Sequence, residues 1–143
     1  MGASQFTAIA LGKSPHDAFD KARNEALYWH GHGGYTGTIA EKPGFKFAGK
    51  VDSWHWDKLH DYFEREVARK VGVVMSRGER LSGKLAPARL RPTIERFAEA
   101  YDDKWGPAIC FQITGTKALE IKKGQGRDGS HDKVYIFVGW ASS

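Results

Sequence analysis

The feature that most constrains the fold of this chain is a helix start at Ser14-Pro15-His16-Asp17. Ser14 can cap the free backbone amides, Pro15 suits the first helical position, and Asp17 places an anion in the first turn. Apolar residues then recur at helical spacing: Ala18, Phe19, Ala22, Ala26 and Trp29. Gly31 is a suitable left-handed C-cap. The sequence therefore predicts a short strand over 6–11 and an amphipathic helix over 15–30.

The middle of the chain alternates between extended and helical patterns. Residues 36–40 and 44–48 are predicted to be extended on either side of a Pro43-Gly44 turn. A second helix is predicted over 53–70, capped by Asp52 or Ser53, and 71–75 has the composition of a strand. The apolar stripe of this second helix contains Trp56, Leu59, Phe63 and Val67.

The last third predicts one more helix and then strands. Pro92 and Thr93 open the helix, and Gly106-Pro107 stops it. Its apolar side carries Ile94, Phe97, Ala98, Tyr101 and Trp105. Partly alternating segments predict strands over 108–114, 118–122 and 134–141, with a hairpin loop over 122–133.

This order of elements predicts the α+β class. The strands are mostly sequential, and helices interrupt only the first half of the chain. We expect a mainly antiparallel sheet packed against two or three helices. With 143 residues and no visible linker, the chain is expected to form a single compact domain over 1–143. Within it, residues 76–91 carry five basic residues and one acidic residue without periodicity, which predicts a long basic loop.

Composition limits the classes of function. The net charge of +5 favours anionic partners. No apolar run approaches the ~20 residues of a membrane span, and the first residues do not resemble a signal peptide, so we expect a cytoplasmic protein without a membrane partner. Cys110 is the one cysteine and lies in an apolar run, which favours a buried, inert thiol. We expect no cofactor.

The segment 28–38 combines two histidines, four glycines and three aromatic residues, and it predicts a site. A phosphate cradle is disfavoured because the glycines follow a helix, where the macrodipole is negative. His30 and His32 could share a metal, but no carboxylate lies at ligand spacing, so no metal site is predicted. A hydrogen-bonding wall of His30, His32, Tyr35, Thr36 and Thr38 is the favoured interpretation. A purely structural turn is the alternative.

Two other features extend this hypothesis. Trp54 and Trp56 open the second predicted helix and cannot both face its core, so one of them is expected to be partly exposed and available to a ligand or a subunit. Trp54 is assigned to the ligand site. The basic loop supplies guanidinium and ammonium groups suited to phosphates. They belong to Arg77, Arg80, Lys84, Arg89 and Arg91.

The motif Gly31-His32-Gly33-Gly34-Tyr35-Thr36-Gly37-Thr38-Ile39, after a Ser-Pro-x-Asp-Ala helix start, resembles small proteins of phages and prokaryotes. The likeness covers the first third of the chain. It brings no established activity with it. A phage origin would imply an accessory or counter-defence role, such as sequestering a nucleotide signal.

These patterns predict a non-catalytic binder of a phosphorylated, nucleotide-like small molecule, with no catalytic residue assigned. The histidine-containing wall would contact base and ribose, and the basic loop would close over phosphates, from the same or a neighbouring subunit of a homo-oligomer. One alternative is an RNA- or DNA-binding accessory protein that uses the basic segments. Another is a small hydrolase that uses His30 and His32 as general bases.

Overall fold

In the part of the chain that the structure describes, the sheet is four-stranded and mixed, with the order β1-β4-β3-β2. The computed structural model describes residues 2–31, 33, 34, 36–70, 86–126 and 131–143. β4 pairs antiparallel with β1 and with β3, whereas β2 pairs parallel with β3. The strands are β1 Ala3–Gly12, β2 Phe45–Val51, β3 Ala108–Ile113 and β4 Lys133–Ser142. The helices are α1 Pro15–His30, α2 Leu59–Lys70, α3 Arg91–Asp102 and α4 Thr116–Gly124.

Helices cover both faces of the sheet. Residues of α1 form one core cluster with alternate residues of β1, among them Phe6 and Ala10. The β1 residues that alternate with these, such as Leu11, face the opposite side of the sheet. Leu11 belongs there to a second cluster, which contains residues of α2 and α3 and against which α4 packs. The prediction of an α+β domain with a mainly antiparallel sheet is confirmed. The described residues contain four α-helices instead of two or three.

Helix α1 has the predicted bounds and caps. The Asp17 amide donates to Ser14 Oγ over 3.2 Å, and the Gly31 amide donates to the Leu27 carbonyl over 2.8 Å with φ of 80° at Gly31. The predicted apolar stripe is only partly correct, because Trp29 is 71% exposed. The last turn of α1 therefore leaves an indole on the surface.

One predicted strand and one predicted helix start in the middle of the chain are wrong. The segment 36–40 is not a strand, because the Thr38 side chain caps a short 3₁₀ helix, Ile39–Glu41. The second helix begins at Leu59 and not at Ser53, because Asp52 accepts hydrogen bonds that hold residues 53–55 in a turn before a 3₁₀ segment. The segment 44–48 is extended as predicted, within β2.

The largest error concerns 118–122, which lies inside α4 and not in a strand. Ala118 and Ile121 pack against the core at helical spacing, and β4 takes its pairing partners from β1 and β3. The predicted hairpin loop over 122–133 is wrong for the same reason. Helix α3 ends at Asp102, so Trp105 lies beyond it, 56% exposed.

Some predictions fall on residues outside the described ranges. These are the strand over 71–75 and the greater part of the basic loop, 76–85. The end of that loop is described: Pro87 accepts the amides of Leu90 and Arg91, which closes a turn directly before α3.

A charged side chain lies inside the fold. Lys42 follows the 3₁₀ helix Ile39–Glu41 and is fully buried. Its Nζ donates to the Asp103 carbonyl over 3.0 Å and lies 5.7 Å from the centre of the Phe6 ring. Burial lowers the pKa of Lys42 to about 8, against a smaller opposing effect of the Asp103 charge. The fold therefore holds an ammonium group that loses its proton more readily than in the unfolded chain.

We expect this lysine to make stability rise with pH in the alkaline range. The pKa of Lys42 is about 8 when folded against 10.5 unfolded, so the unfolded state binds more protons between these values. The burial penalty is present in full below pH 8 and is relieved as the pH rises, by on the order of 3 kcal/mol. Burial raises the pKa of Tyr101 and Cys110, which lowers the stability of both proteins at alkaline pH, so denaturant titrations should compare the wild type with Lys42→Met at each pH. The free energy of unfolding of the wild type should rise relative to that of the variant between pH 8 and 10.5. Parallel profiles would contradict the assignment.

Candidate functional site

The predicted site residues that the structure describes do not all meet in one cavity. His30 and Thr38 line a groove between α1 and β1, at one edge of the sheet. Arg89 lines a crevice at the end of β2, the opposite edge strand, and Arg91 lines a cleft between α2 and α3. The predicted residues His32, Tyr35, Arg77, Arg80 and Lys84 lie outside the described ranges.

The predicted threonines make hydrogen bonds within their own turn. Thr36 Oγ1 donates to Glu41 Oε2 over 2.7 Å and lies 2.8 Å from Thr38 Oγ1, which accepts the Ala40 amide over 3.2 Å. Gly37 donates its amide to the Ser142 carbonyl over 2.8 Å, which ties this turn to the end of β4. These contacts account for the Thr-Gly-Thr sequence by structure alone.

Gly37 should not tolerate a side chain. Its φ is 71°, and an added Cβ would lie 3.1 Å from the Ser4 side chain and 3.2 Å from that of Ser143. Left-handed strain and crowding together should lower the free energy of unfolding of Gly37→Ala by about 2 kcal/mol or more. Gly33→Ala is the matched control, since its added Cβ meets nothing within 4 Å. Equal stability of the two variants in urea titrations would refute this role.

The groove between α1 and β1 has a volume of about 440 Å³. Consecutive β1 residues, Gln5 to Ile9, line it together with Trp29, His30 and Glu25. Consecutive residues of a strand point to opposite faces, so a cavity lined by all of them runs along the edge of the strand. A second cavity continues the groove past Ile9 to Leu11 and reaches Lys21.

On the other face of β1, a hydrogen-bonded network surrounds His60. Thr7 Oγ1 lies 2.7 Å from His60 Nε2, and the Tyr101 hydroxyl lies 2.8 Å from His60 Nδ1. Gln5 Nε2 donates to the Tyr101 hydroxyl and to Glu64, and Glu64 also accepts from the Trp140 indole over 2.5 Å. Burial raises the pKa of Tyr101, and the Glu64 charge adds to this. The network ties β1 and β4 to α2 and α3.

No role was assigned to His60 from the sequence, so this network was not predicted. A weak signal was present in the polar residues Gln5 and Thr7, which alternate with apolar ones in β1. Their partners lie at least 53 residues away in sequence, and no local pattern identifies them.

His60 should make the protein sensitive to mild acid. Burial lowers the pKa of His60 below 6.5, against a smaller opposing effect of the Glu64 charge. Below pH 6.5 the unfolded chain takes up a proton that the folded chain resists, so stability falls as the pH falls. We expect the unfolding free energy of His60→Gln to fall less steeply in this range. An equally steep fall in chemical denaturation series would show that other groups are responsible.

A different crevice lies at the carboxyl ends of the parallel strands β2 and β3. Its volume is about 410 Å³. The strands end at Val51 and Ile113, and the Thr114 amide donates to the Val51 carbonyl over 2.9 Å. The residues that line the crevice are Ala48, Gly49, Lys50, Val51, Asp52, Arg89, Leu90, Thr93 and Thr114. Ligands of open α/β sheets commonly bind outside the carboxyl ends of parallel strands.

Positive charge predominates in this crevice. Lys50 and Arg89 line it, and Asp52, its one acidic lining residue, forms an ion pair with Arg89. The start of α3 borders it at Leu90 and Thr93, and no side chain caps this helix and no acidic residue lies in its first turn. The positive end of the helix dipole thus adds to the two cations.

Trp54 lies two residues after Asp52, which lines the crevice, and is 78% exposed, whereas Trp56 packs against the core. The prediction that only one of the two indoles faces the core is confirmed. The Trp54 amide donates to Asp52 Oδ1 over 3.0 Å, and Lys58 Nζ donates to the Trp54 carbonyl over 3.1 Å. The turn holding the indole is therefore fixed beside the acidic group that binds Arg89.

Arg91, by contrast, points into the neighbouring cleft, where its Nε donates to the Ala86 carbonyl over 2.9 Å. Cys110 is fully buried, as predicted, and burial raises the pKa of its thiol. Among the described residues, no group of three or more His, Cys, Asp or Glu side chains is placed to hold a metal ion. No helix in the described part of the chain is long and apolar enough to cross a membrane.

Comparison with known proteins identified no relative of this chain. No family model, no curated protein and no solved structure matches the chain.

Proposed function

We propose that this protein binds a phosphorylated, nucleotide-like small molecule without transforming it, with the phosphate in the crevice at the ends of β2 and β3. The observation that carries this proposal is the convergence of Arg89, Lys50 and the start of α3, which has no side-chain cap, on one cavity of about 410 Å³. An anion there meets a guanidinium, an ammonium and the positive end of a helix.

The exposed indole of Trp54 supplies the second part of the site. It follows Asp52, which lines the crevice. A purine or pyrimidine has a π-face that stacks on such a ring, and stacking on aromatic side chains is worth about 1–3 kcal/mol per base. The Asp52 carboxylate accepts hydrogen bonds, so it suits the hydroxyls of a ribose while it holds Arg89 in place.

The residues that the sequence predicted to form one site lie in two different cavities. Trp54 and Arg89 lie at this end of the sheet, while His30 and Thr38 line the groove at the opposite edge. Lys50 and Thr93 join the site although no sequence motif marks them. A binder of this kind would act by sequestering its ligand.

We expect Arg89→Gln and Lys50→Gln each to weaken nucleotide binding about tenfold or more, because each removes a charge-assisted contact worth roughly 1.5–3 kcal/mol. Titration calorimetry with mono-, di- and cyclic nucleotides measures this. Lys46→Gln is the matched control, since Lys46 lies on the same strand and does not line the crevice. Absence of heat from every nucleotide with folded protein, or equal affinity of all three variants, would reject the proposal.

The salt dependence of the affinity and the state of the ligand after incubation separate the alternative functions. A small phosphorylated ligand should lose affinity gradually with salt, whereas an RNA or DNA polymer loses it steeply through counterion release. Ligand recovered intact after incubation supports binding alone, and turnover would indicate a hydrolase.

A further inference from the structure

The two edges of the sheet differ sharply in how well they resist pairing with another strand. Edge strand β2 contains a register shift between Phe47 and Gly49 and carries Lys46 and Lys50. Bulges and lysines are common means of blocking edge-to-edge association. Edge strand β1 has neither feature. Its ten residues, Ala-Ser-Gln-Phe-Thr-Ala-Ile-Ala-Leu-Gly, contain no charge and no proline, and they pair with β4 without interruption.

The backbone groups along the outer side of β1 can be identified from the ladder. Gly2 and Ser143 exchange both backbone hydrogen bonds at 3.2 Å, and the register continues unbroken to Gly12 and Lys133. In an antiparallel ladder such pairs alternate with pairs whose groups point away. The amides and carbonyls that face outward therefore belong to Ala3, Gln5, Thr7, Ile9 and Leu11. Leu11 is only 4% exposed, so the open part of this edge runs from Ala3 to Ile9.

No other strand among the described residues pairs with this outer side. The groove lies directly along it and extends from Gln5 past Ile9 to Leu11. A row of alternating donors and acceptors beside an open groove matches the hydrogen-bonding pattern of an extended polypeptide strand.

We propose that the strand which fills this edge is β1 of a second copy of this chain, paired antiparallel about a twofold axis. A long uncharged edge promotes aggregation unless it is covered at all times, and a second copy is always present where the protein is. Pairing β1 with itself opposes no like charges within the strand. Gln5, Thr7 and Ile9 carry the outward-facing groups along the groove, so their mutual overlap centres the axis on Thr7.

The neighbouring helix fits this arrangement. Trp29 and His30 line the Gln5 end of the groove and Lys21 lines its Leu11 end, so α1 runs antiparallel to β1. The twofold axis brings the Lys21 end of one copy towards the Trp29 end of the other, where an ammonium can lie over an indole. Within its own copy, Lys21 Nζ donates to Asp17 Oδ2 over 3.2 Å, and 46% of the Lys21 side chain stays exposed. The exposed Trp29 ring, which already contacts the Tyr28 ring at 5.2 Å between centroids, thereby gains a second contact.

Thr7→Lys and Thr7→Val test the proposal as a matched pair. Both remove the hydroxyl that contacts His60, but only lysine places two like charges at the axis. We expect light scattering after size exclusion to give a dimer for the wild type and for Thr7→Val, and a monomer for Thr7→Lys. Dimers of unchanged stability in both variants would overturn the proposal.

Hydrogen exchange on the wild-type protein decides the question even if Thr7→Lys fails to fold. The amides of Gln5, Thr7 and Ile9 should be protected at high protein concentration and lose protection on dilution, while those of Phe6 and Ala8 stay protected by β4. A monomer at every concentration would refute the dimer. If the outward amides exchange freely in that monomer, the edge is open. If they are protected, the chain itself covers the edge.

Discussion

The structure depends on the pairing of the central strand β4 with β1 on one side and β3 on the other. β4 is the last strand in sequence, and residues 134–139 within it are buried. β4 lies between β1 and β3 and pairs with both of them. The faces on either side of this sheet bury the two core clusters, one beneath α1 and the other beneath α2 and α3.

This arrangement makes the two edges of the sheet different. Because β2 pairs parallel with β3, their carboxyl ends lie together, and the start of α3 meets them there with Arg89. At the other end β1 lies outermost, with one side in the ladder and the other beside a groove. The proposed ligand site and the proposed pairing surface are thus separated by the width of the sheet, and each can be tested without disturbing the other.

The candidate site shows how far local patterns extend. The exposure of one of the two indoles, Trp54 or Trp56, follows from their alternation alone, and Arg89 is marked by its basic neighbourhood. The meeting of Arg89 with Lys50 and Asp52 could not be predicted, because it requires residues about 37 positions apart to converge at the end of a parallel strand pair. The network around His60 could not be predicted for the same reason. The two ring nitrogens of His60 contact residues of β1 and α3, which are distant in sequence.

By itself the sequence determined the bounds of α1, the burial of Cys110 and the α+β class, because caps, apolar spacing and element order act within a few residues or over the whole composition. Only the tertiary structure decided that 118–122 is helical, since β4 finds its partners in β1 and β3 and leaves that segment to pack against the core. It also decided which edge of the sheet is open and that Lys42 is buried. These outcomes depend on which surfaces meet, and the residues that meet are distant in the chain.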